Sequence, residues 1–306
     1  MNNRDCNAEL FTSGYDGIFL PQRVFAGLDP PYSNLQQAKT VIIPVPYDST
    51  SEWRTGSRHG PQAIIDASQY LELYDLELDR EIYKVGISTL SQIEPLLSSP
   101  QDMIDRVYQV IRDLIQKEKF VVLLGGEHSL SLGAVRAFKE AFPTLSVLQL
   151  DAHADLRSSY LGSPYNHACA LHDVSQNAHL VQVGIRSMDK SEKQYMNRGN
   201  CFFASEIVGG ESWIDEVTDK LNDRVYVTID LDVFDPSVLA ATGTPEPGGL
   251  GWYEVTELLR EVFRKKEVLG FDMVELAPID GDKASPFLAA KLYYKLLSYK
   301  FYTHEK

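Results

Sequence analysis

The strongest constraint on this chain is a local pattern that recurs three times: a short apolar run closing in acidic or imidazole side chains. Ser146 to Leu150 reads as a buried strand, and Asp151, His153 and Asp155 follow it at i, i+2 and i+4. Alternate residues of an extended chain share a face, so these three converge at the strand's end. Arg224 to Asp235 (RVYVTIDLDVFD) repeats the pattern with Asp230 and Asp232, and Phe120 to Ser129 (FVVLLGGEHS) runs through two glycines to His128. Ligands of open α/β sheets bind in the crevice at the carboxyl ends of the strands. Three strands ending in this way predict such a crevice.

The rest of the chain supplies the layers. Thr40–Val45, Tyr83–Ser88, Leu180–Ile185, Cys201–Ala204 and Val268–Leu276, the last closing on Glu275, read as further strands. Helical spacing of apolar residues marks Gln101–Lys117 and Trp252–Arg264. Pro61 opens a helix to about Leu71, and Trp213–Leu221 forms another. Ser129 or Ser131 would cap the helix that runs to Phe142, and Ser285-Pro286 would cap a last helix with Leu288, Leu292 and Leu296. Strands alternating with helices predict a three-layer α/β/α fold with a mostly parallel sheet. Residues 1–39 lack any period and read as an irregular arm. Residues 40–306 read as one α/β domain without a linker.

Composition narrows the partners. A formal net charge of −14 argues against nucleic acid, which selects basic patches, and is compatible with a cationic substrate. No apolar run approaches the ~20 residues of a membrane span. The opening MNNRDCNAELF lacks the basic and apolar regions of a signal peptide. Three cysteines, Cys6, Cys169 and Cys201, suit reduced thiols, so the expected setting is the cytoplasm.

Four aspartates and two histidines at strand ends are hard oxygen and imidazole donors. With no cysteine among them the set does not read as a structural zinc site; manganese is the expected ion, with iron, nickel or cobalt as alternatives. Six donors exceed what one ion with an open position needs but suit two ions sharing carboxylates. Two such ions lower the pKa of a shared water and stabilise the charge that develops on attack. Alone, His128 would read as a structural histidine and Asp230 and Asp232 as caps; Asp235, before Pro236, reads as a turn residue. Paired carboxylates at a buried strand end, however, repel each other unless a cation compensates.

The motifs GGEHS (125–129), DAHAD (151–155) and TIDLDVFDP (228–236) resemble, in order and spacing, those of the ureohydrolases, the family of arginase and agmatinase. The likeness extends over most of Thr40 to Leu297. It implies an arginase-like fold, two Mn²⁺ per subunit and a homo-oligomer, a trimer or hexamer. It also implies one ion on His128, Asp151, Asp155 and Asp230 and a second on Asp151, His153, Asp230 and Asp232. By the same resemblance His167, in SPYNHAC, is a proton shuttle near the leaving amine, with Asp155 the other candidate proton donor. Glu275, in DMVELAP, grips the guanidinium. Glu127 stands where many relatives have Asp and is expected to tune the site without ligating.

A guanidinium is protonated and resonance-stabilised, so its hydrolysis to urea and an amine needs a strong nucleophile and a planar carboxylate grip. Arginases hold the α-substituents of their substrate with two asparagines, at positions occupied here by Arg157 and Tyr165. The segments around DAHADLR, VGIRS and GTPEPGG look like the agmatinase branch, which points to agmatine, cleaved to putrescine and urea. Aminopropylagmatine is an alternative, as is guanidinobutyrate if Arg157 faces the pocket, and Glu246 could receive a cationic tail. Competing readings are a single-zinc deacetylase-like amidohydrolase and an inactive homologue kept for assembly.

Overall fold

Valine, isoleucine and leucine crowd the strands because both faces of the sheet are covered. In the computed structural model, which describes residues 23–208, 210 and 212–302, eight strands form one sheet. They are β1 (Thr40–Val45), β2 (Ile87–Thr89), β3 (Phe120–Gly125), β4 (Ser146–Leu150), β5 (His179–Ile185), β6 (Cys201–Phe203), β7 (Arg224–Asp230) and β8 (Glu267–Val274). Their order is β2-β1-β3-β8-β7-β4-β5-β6, and every neighbouring pair is parallel.

Successive strand residues point to opposite layers. Val122 and Leu124 join one core with helices α1 (Gly60–Ser68), α6 (Trp213–Lys220), α7 (Trp252–Lys265) and α8 (Ala284–Tyr302). Val121 and Leu123 join the opposite core with α2 (Pro100–Ile115), α3 (Ser131–Ala141) and α4 (His172–Asn177). A short α5 (Ala204–Ile207) follows β6 directly. The expected α/β/α sandwich is present, and its sheet is wholly parallel. The chain leaves β3 for β4 across the gap later filled by β7 and β8. The four central strands therefore contribute their carboxyl ends to one crevice.

Several local expectations need correction. The strand expected at Tyr83–Ser88 is a 3-10 turn at Ile82–Val85 followed by β2. Gly86 interrupts it with φ +81, where a Cβ would stand 2.7 Å from the Ala38 Cα. Neither Ser129 nor Ser131 caps α3: the cap position is Leu130, and the Ser129 hydroxyl donates to Glu127 instead. The last helix is held not by Ser285-Pro286 but by Asp282, which accepts the N–H groups of Ala284 and Ser285. β8 stops at Val274, and Glu275 turns to φ +65. The first 22 residues of the expected arm, Cys6 among them, lie outside the described residues. From Arg23 the chain runs in turns, with Phe25 buried against Tyr293.

Candidate active site

Each strand end delivers its groups by a different device. β3 passes through Gly125 and Gly126, the latter so close to Tyr47 that a Cβ would meet its carbonyl oxygen at 2.0 Å. The chain then begins a 3-10 turn at His128. After β4, the Asp151 N–H continues the ladder to Val183, and Asp155 adopts φ +54. Asp230 ends β7 and its carboxylate accepts the Asp232 N–H, capping the turn Leu231–Val233. Glu275 sits just past β8. Left-handed backbone at two non-glycine residues is costly and concentrates at functional sites; here it turns Asp155 and Glu275 into the crevice.

The six expected ligands converge. The His128 Nδ1 lies 3.1 Å from Asp151 Oδ2, 3.1 Å from Asp155 Oδ2 and 3.4 Å from Asp230 Oδ2. The His153 Nδ1 lies 2.9 Å from Asp232 Oδ2 and 3.7 Å from Asp151 Oδ1. Asp151 thus turns one oxygen to each histidine. Both groups, His128 with Asp151 and Asp155, and Asp151 with His153 and Asp232, have metal-ligand spacing. Asp230 faces the first and touches the second through the Asp232 backbone.

Proton counting supports a cation here. Thr228 donates its hydroxyl proton to Asp272 (2.7 Å) and lies 2.9 Å from His128 Nε2. Having no second proton, it accepts from Nε2–H, which leaves Nδ1 bare. That buried Nδ1 has no hydrogen-bond partner while three carboxylates face it. A lone pair among carboxylates is repulsive unless a cation lies between them. The titration shifts say the same. Burial, then the charges of Asp232 and Asp155, push Asp151 up to about 7. Burial with Asp232 and Asp151 holds Asp230 well above its ordinary range. Burial alone would lower His153, but Asp232, Asp151 and Asp155 together outweigh it and raise the imidazole to about 11. Each shift follows from a surplus of buried negative charge, which a bound cation would relieve.

A cavity of about 300 Å³ opens over this floor, bordered by Glu52, Trp53, Arg157, Tyr160, His167 and Glu275. Glu275 is half-buried at the cavity wall; desolvation, then the neighbouring Glu127 charge, drives its carboxyl well up. Its Oε1 accepts the His128 N–H at 2.7 Å. His167 stands on the wall, its Nδ1 3.0 Å from Thr50 Oγ1 and its Nε2 3.7 Å from Glu52 Oε2. Arg157 faces the cavity, stacked 4.7 Å over the Tyr160 ring. Tyr165 does not line it: that ring lies under Arg136. Glu246 does not line it either; its carboxylate stands 3.8 Å from His153 Nε2. Asp235 is the turn residue expected, accepting from Ser237, Gly248 and Gly249.

A sequence model of the Arginase family matches residues 38–298. The chain belongs to the arginase family. Within it, the chain is 38% identical over 273 residues to the N(1)-aminopropylagmatine ureohydrolase of Synechocystis, covering 86% of this chain and 89% of that protein. It is 32% identical to the agmatinase of Pyrococcus horikoshii, covering 88% and 95%. Among solved structures it resembles the agmatine ureohydrolase of Thermoplasma volcanium, with a TM-score of 0.82, 30% identity and coverage of 92% and 95%.

Several residues that this arginase-family site uses carry a signal only in their surroundings. Gln149, Gln182, Thr228 and Asp272 are polar side chains inside buried apolar strands, and all are engaged. Gln182 donates to Gln149 (2.7 Å), which donates to Asp151 (2.7 Å). A polar residue where a strand is otherwise apolar needs a partner. That rule would have found them; Thr50 and Glu52, in a loop, leave no such trace.

Proposed function

We propose that the protein is a two-metal ureohydrolase that cleaves the guanidino group of an aliphatic cation, agmatine or its N(1)-aminopropyl derivative, to urea and an amine. The observation that carries this reading is Glu275, a half-buried carboxylate turned into the cavity beside four aspartates and two histidines. His128, Asp151, Asp155 and Asp230 would hold one ion, and Asp151, His153, Asp230 and Asp232 the other. The donor set suits Mn²⁺. When bound, the ions supply a nucleophile strong enough at neutral pH for an unreactive guanidinium carbon.

The chain's own groups do the positioning. Glu275, tied to the His128 N–H, presents its carboxylate to the planar guanidinium, whose charge satisfies it and fixes the carbon over the floor. The departing nitrogen must gain a proton; Asp155 on the floor and His167 on the wall are placed to supply it. Glu52, held by the Tyr160 hydroxyl (3.0 Å), and Trp53, 77% exposed, give the mouth a carboxylate and an aromatic face for a cationic tail. Greater identity to the aminopropylagmatine enzyme favours the longer tail. Arg157 on the same wall supports a carboxylate-ended tail as the second reading.

A cytoplasmic homo-oligomer belongs to this proposal. Tyr74, Leu76 and Tyr253 are exposed around one surface groove, the kind of apolar patch that subunit contacts cover. Among the described residues no helix is long and apolar enough to cross a membrane.

The deciding measurement is urea release by Mn²⁺-loaded protein on agmatine, aminopropylagmatine, arginine and guanidinobutyrate in parallel. The cationic tails should exceed the other two by roughly 100-fold or more in kcat/KM, as expected when a mismatched charge is left unpaired in a pocket. No urea from any of them, with two ions per chain verified, would overturn the proposal.

A further inference from the structure

We propose that Glu127, acting through Thr50, is a positioning device for His167 that keeps the proton on Nδ1 and turns a bare Nε2 toward the cavity. The inference rests on the ureohydrolase reading for what His167 does, but its geometry is independent of it.

Glu127 is fully buried, adjacent to His128 yet outside the ligand groups. Its carboxylate receives three donors. Ser129 Oγ donates to Oε1 at 2.5 Å, Thr50 Oγ1 donates to Oε1 at 2.8 Å, and the Thr50 N–H donates to Oε2 at 2.7 Å. Thr50 is therefore pinned at both its backbone and its side chain. Its hydroxyl has one proton, and Glu127 takes it. Two lone pairs remain. One accepts the His167 backbone N–H at 3.0 Å; the other faces His167 Nδ1, also at 3.0 Å. Only a protonated Nδ1 completes that contact, so the atom that gains and loses the proton is Nε2, on the cavity side near Glu52.

The arrangement mirrors that of His128. There, Asp272 takes the Thr228 proton and Thr228 holds Nε2–H, leaving Nδ1 bare for the metal floor. Here, Glu127 takes the Thr50 proton and Thr50 holds Nδ1–H, leaving Nε2 as the nitrogen that takes up a proton and passes it to the departing amine. Two carboxylate–threonine pairs thus assign opposite tautomers to two histidines of one site. Without the Thr50 anchor the ring could carry its proton on either nitrogen, so Nε2 would no longer reliably take up a proton and hand it on, and the proton transfer would suffer without loss of substrate binding.

The test is a double-mutant cycle on the Mn²⁺-loaded enzyme with Thr50→Val, which removes the hydroxyl at nearly constant volume, and His167→Ala. Thr50→Val should lower kcat about 10- to 100-fold, leave KM within about threefold and leave two ions bound. Thr50→Ser, which restores the hydroxyl, should return kcat to within about threefold of the parent. In the His167→Ala background Thr50→Val should have no further effect, because its only route to the chemistry is gone. Glu127→Gln should behave as Thr50→Val does, with metal content checked because His128 is next in the chain. Equal losses from Thr50→Val with and without His167, failed rescue by Ser, or a loss explained by missing metal would overturn the inference. An unmodified enzyme that releases no urea would instead overturn the function, and full activity in His167→Ala would overturn the shuttle role alone.

Discussion

At the scale of the residue, the site is a problem of excess negative charge solved by placement. Asp151 is the clearest case, since its two oxygens face two different histidines. Asp151→Ala and Asp230→Ala are each expected to abolish urea release and to leave a folded protein. Adding Mn²⁺ should raise the Tm of the parent by binding the native state alone, and should no longer do so in these variants. Full turnover by either variant would show that its carboxylate is not shared. Glu275→Gln keeps the shape and an acceptor for the His128 N–H but loses the charge. We expect both ions to remain bound and kcat/KM to fall about 100-fold or more, the scale for losing a positioned charge partner; metal analysis beside steady-state kinetics checks it. The direct donors were legible because period-2 spacing at a strand's end is visible in a string of letters. The residues supporting them could be flagged at best: Thr228 and Asp272 stand out as polar side chains in apolar strands, but their partners, like that of Glu127, lie 44 to 100 positions away in sequence.

At the scale of the element, strand identity was readable and strand ends were less so. Apolar runs announce a buried parallel sheet, whereas the left-handed step at Glu275 and the break at Gly86 depend on what the backbone meets there. Caps failed for the same reason: Ser129 had a better partner in Glu127 than the start of α3. The α8 helix offers a separate test. Lys295 is 2.7 Å from Asp75 and 2.6 Å from Glu77, docking the helix on the loop before β2. Burial pushes the Asp75 carboxyl up, but hydrogen bonds from Lys295 and Ser298 outweigh it and hold it below its ordinary value. A depressed carboxylate contributes stability above its unfolded pKa and loses it as pH falls through the folded one. Lys295→Met should therefore cost about 2 kcal/mol at pH 7, the scale of hydrogen bonds to charged groups, and the difference from the parent should shrink as pH drops below about 4. Chemical denaturation at the two pH values measures it; a pH-independent cost would assign the effect to packing.

At the scale of the molecule, a net charge of −14 surrounds a cavity whose floor is acidic. Such a field draws cations toward the site and is screened by salt. The kcat/KM for a cationic guanidine should fall roughly two- to fivefold between low and high ionic strength while kcat changes little. A zwitterionic guanidine should respond less, and an equal response in both would remove the steering argument. The overall architecture was legible because alternation of strands and helices admits few layerings; the order of the strands was not, since nothing local says that β7 and β8 insert between β3 and β4. That insertion has a consequence for how such a protein can change. The residues proposed to hold the ions and the guanidinium lie at the carboxyl ends of the four innermost strands, where any shift disturbs both cores. The groups proposed to meet the rest of the substrate, Glu52, Trp53 and Arg157, sit on loops whose exchange leaves the sheet intact. Selection on what is cleaved and selection on how it is cleaved act on separable parts, so a lineage can acquire new substrates while its reaction stays the same.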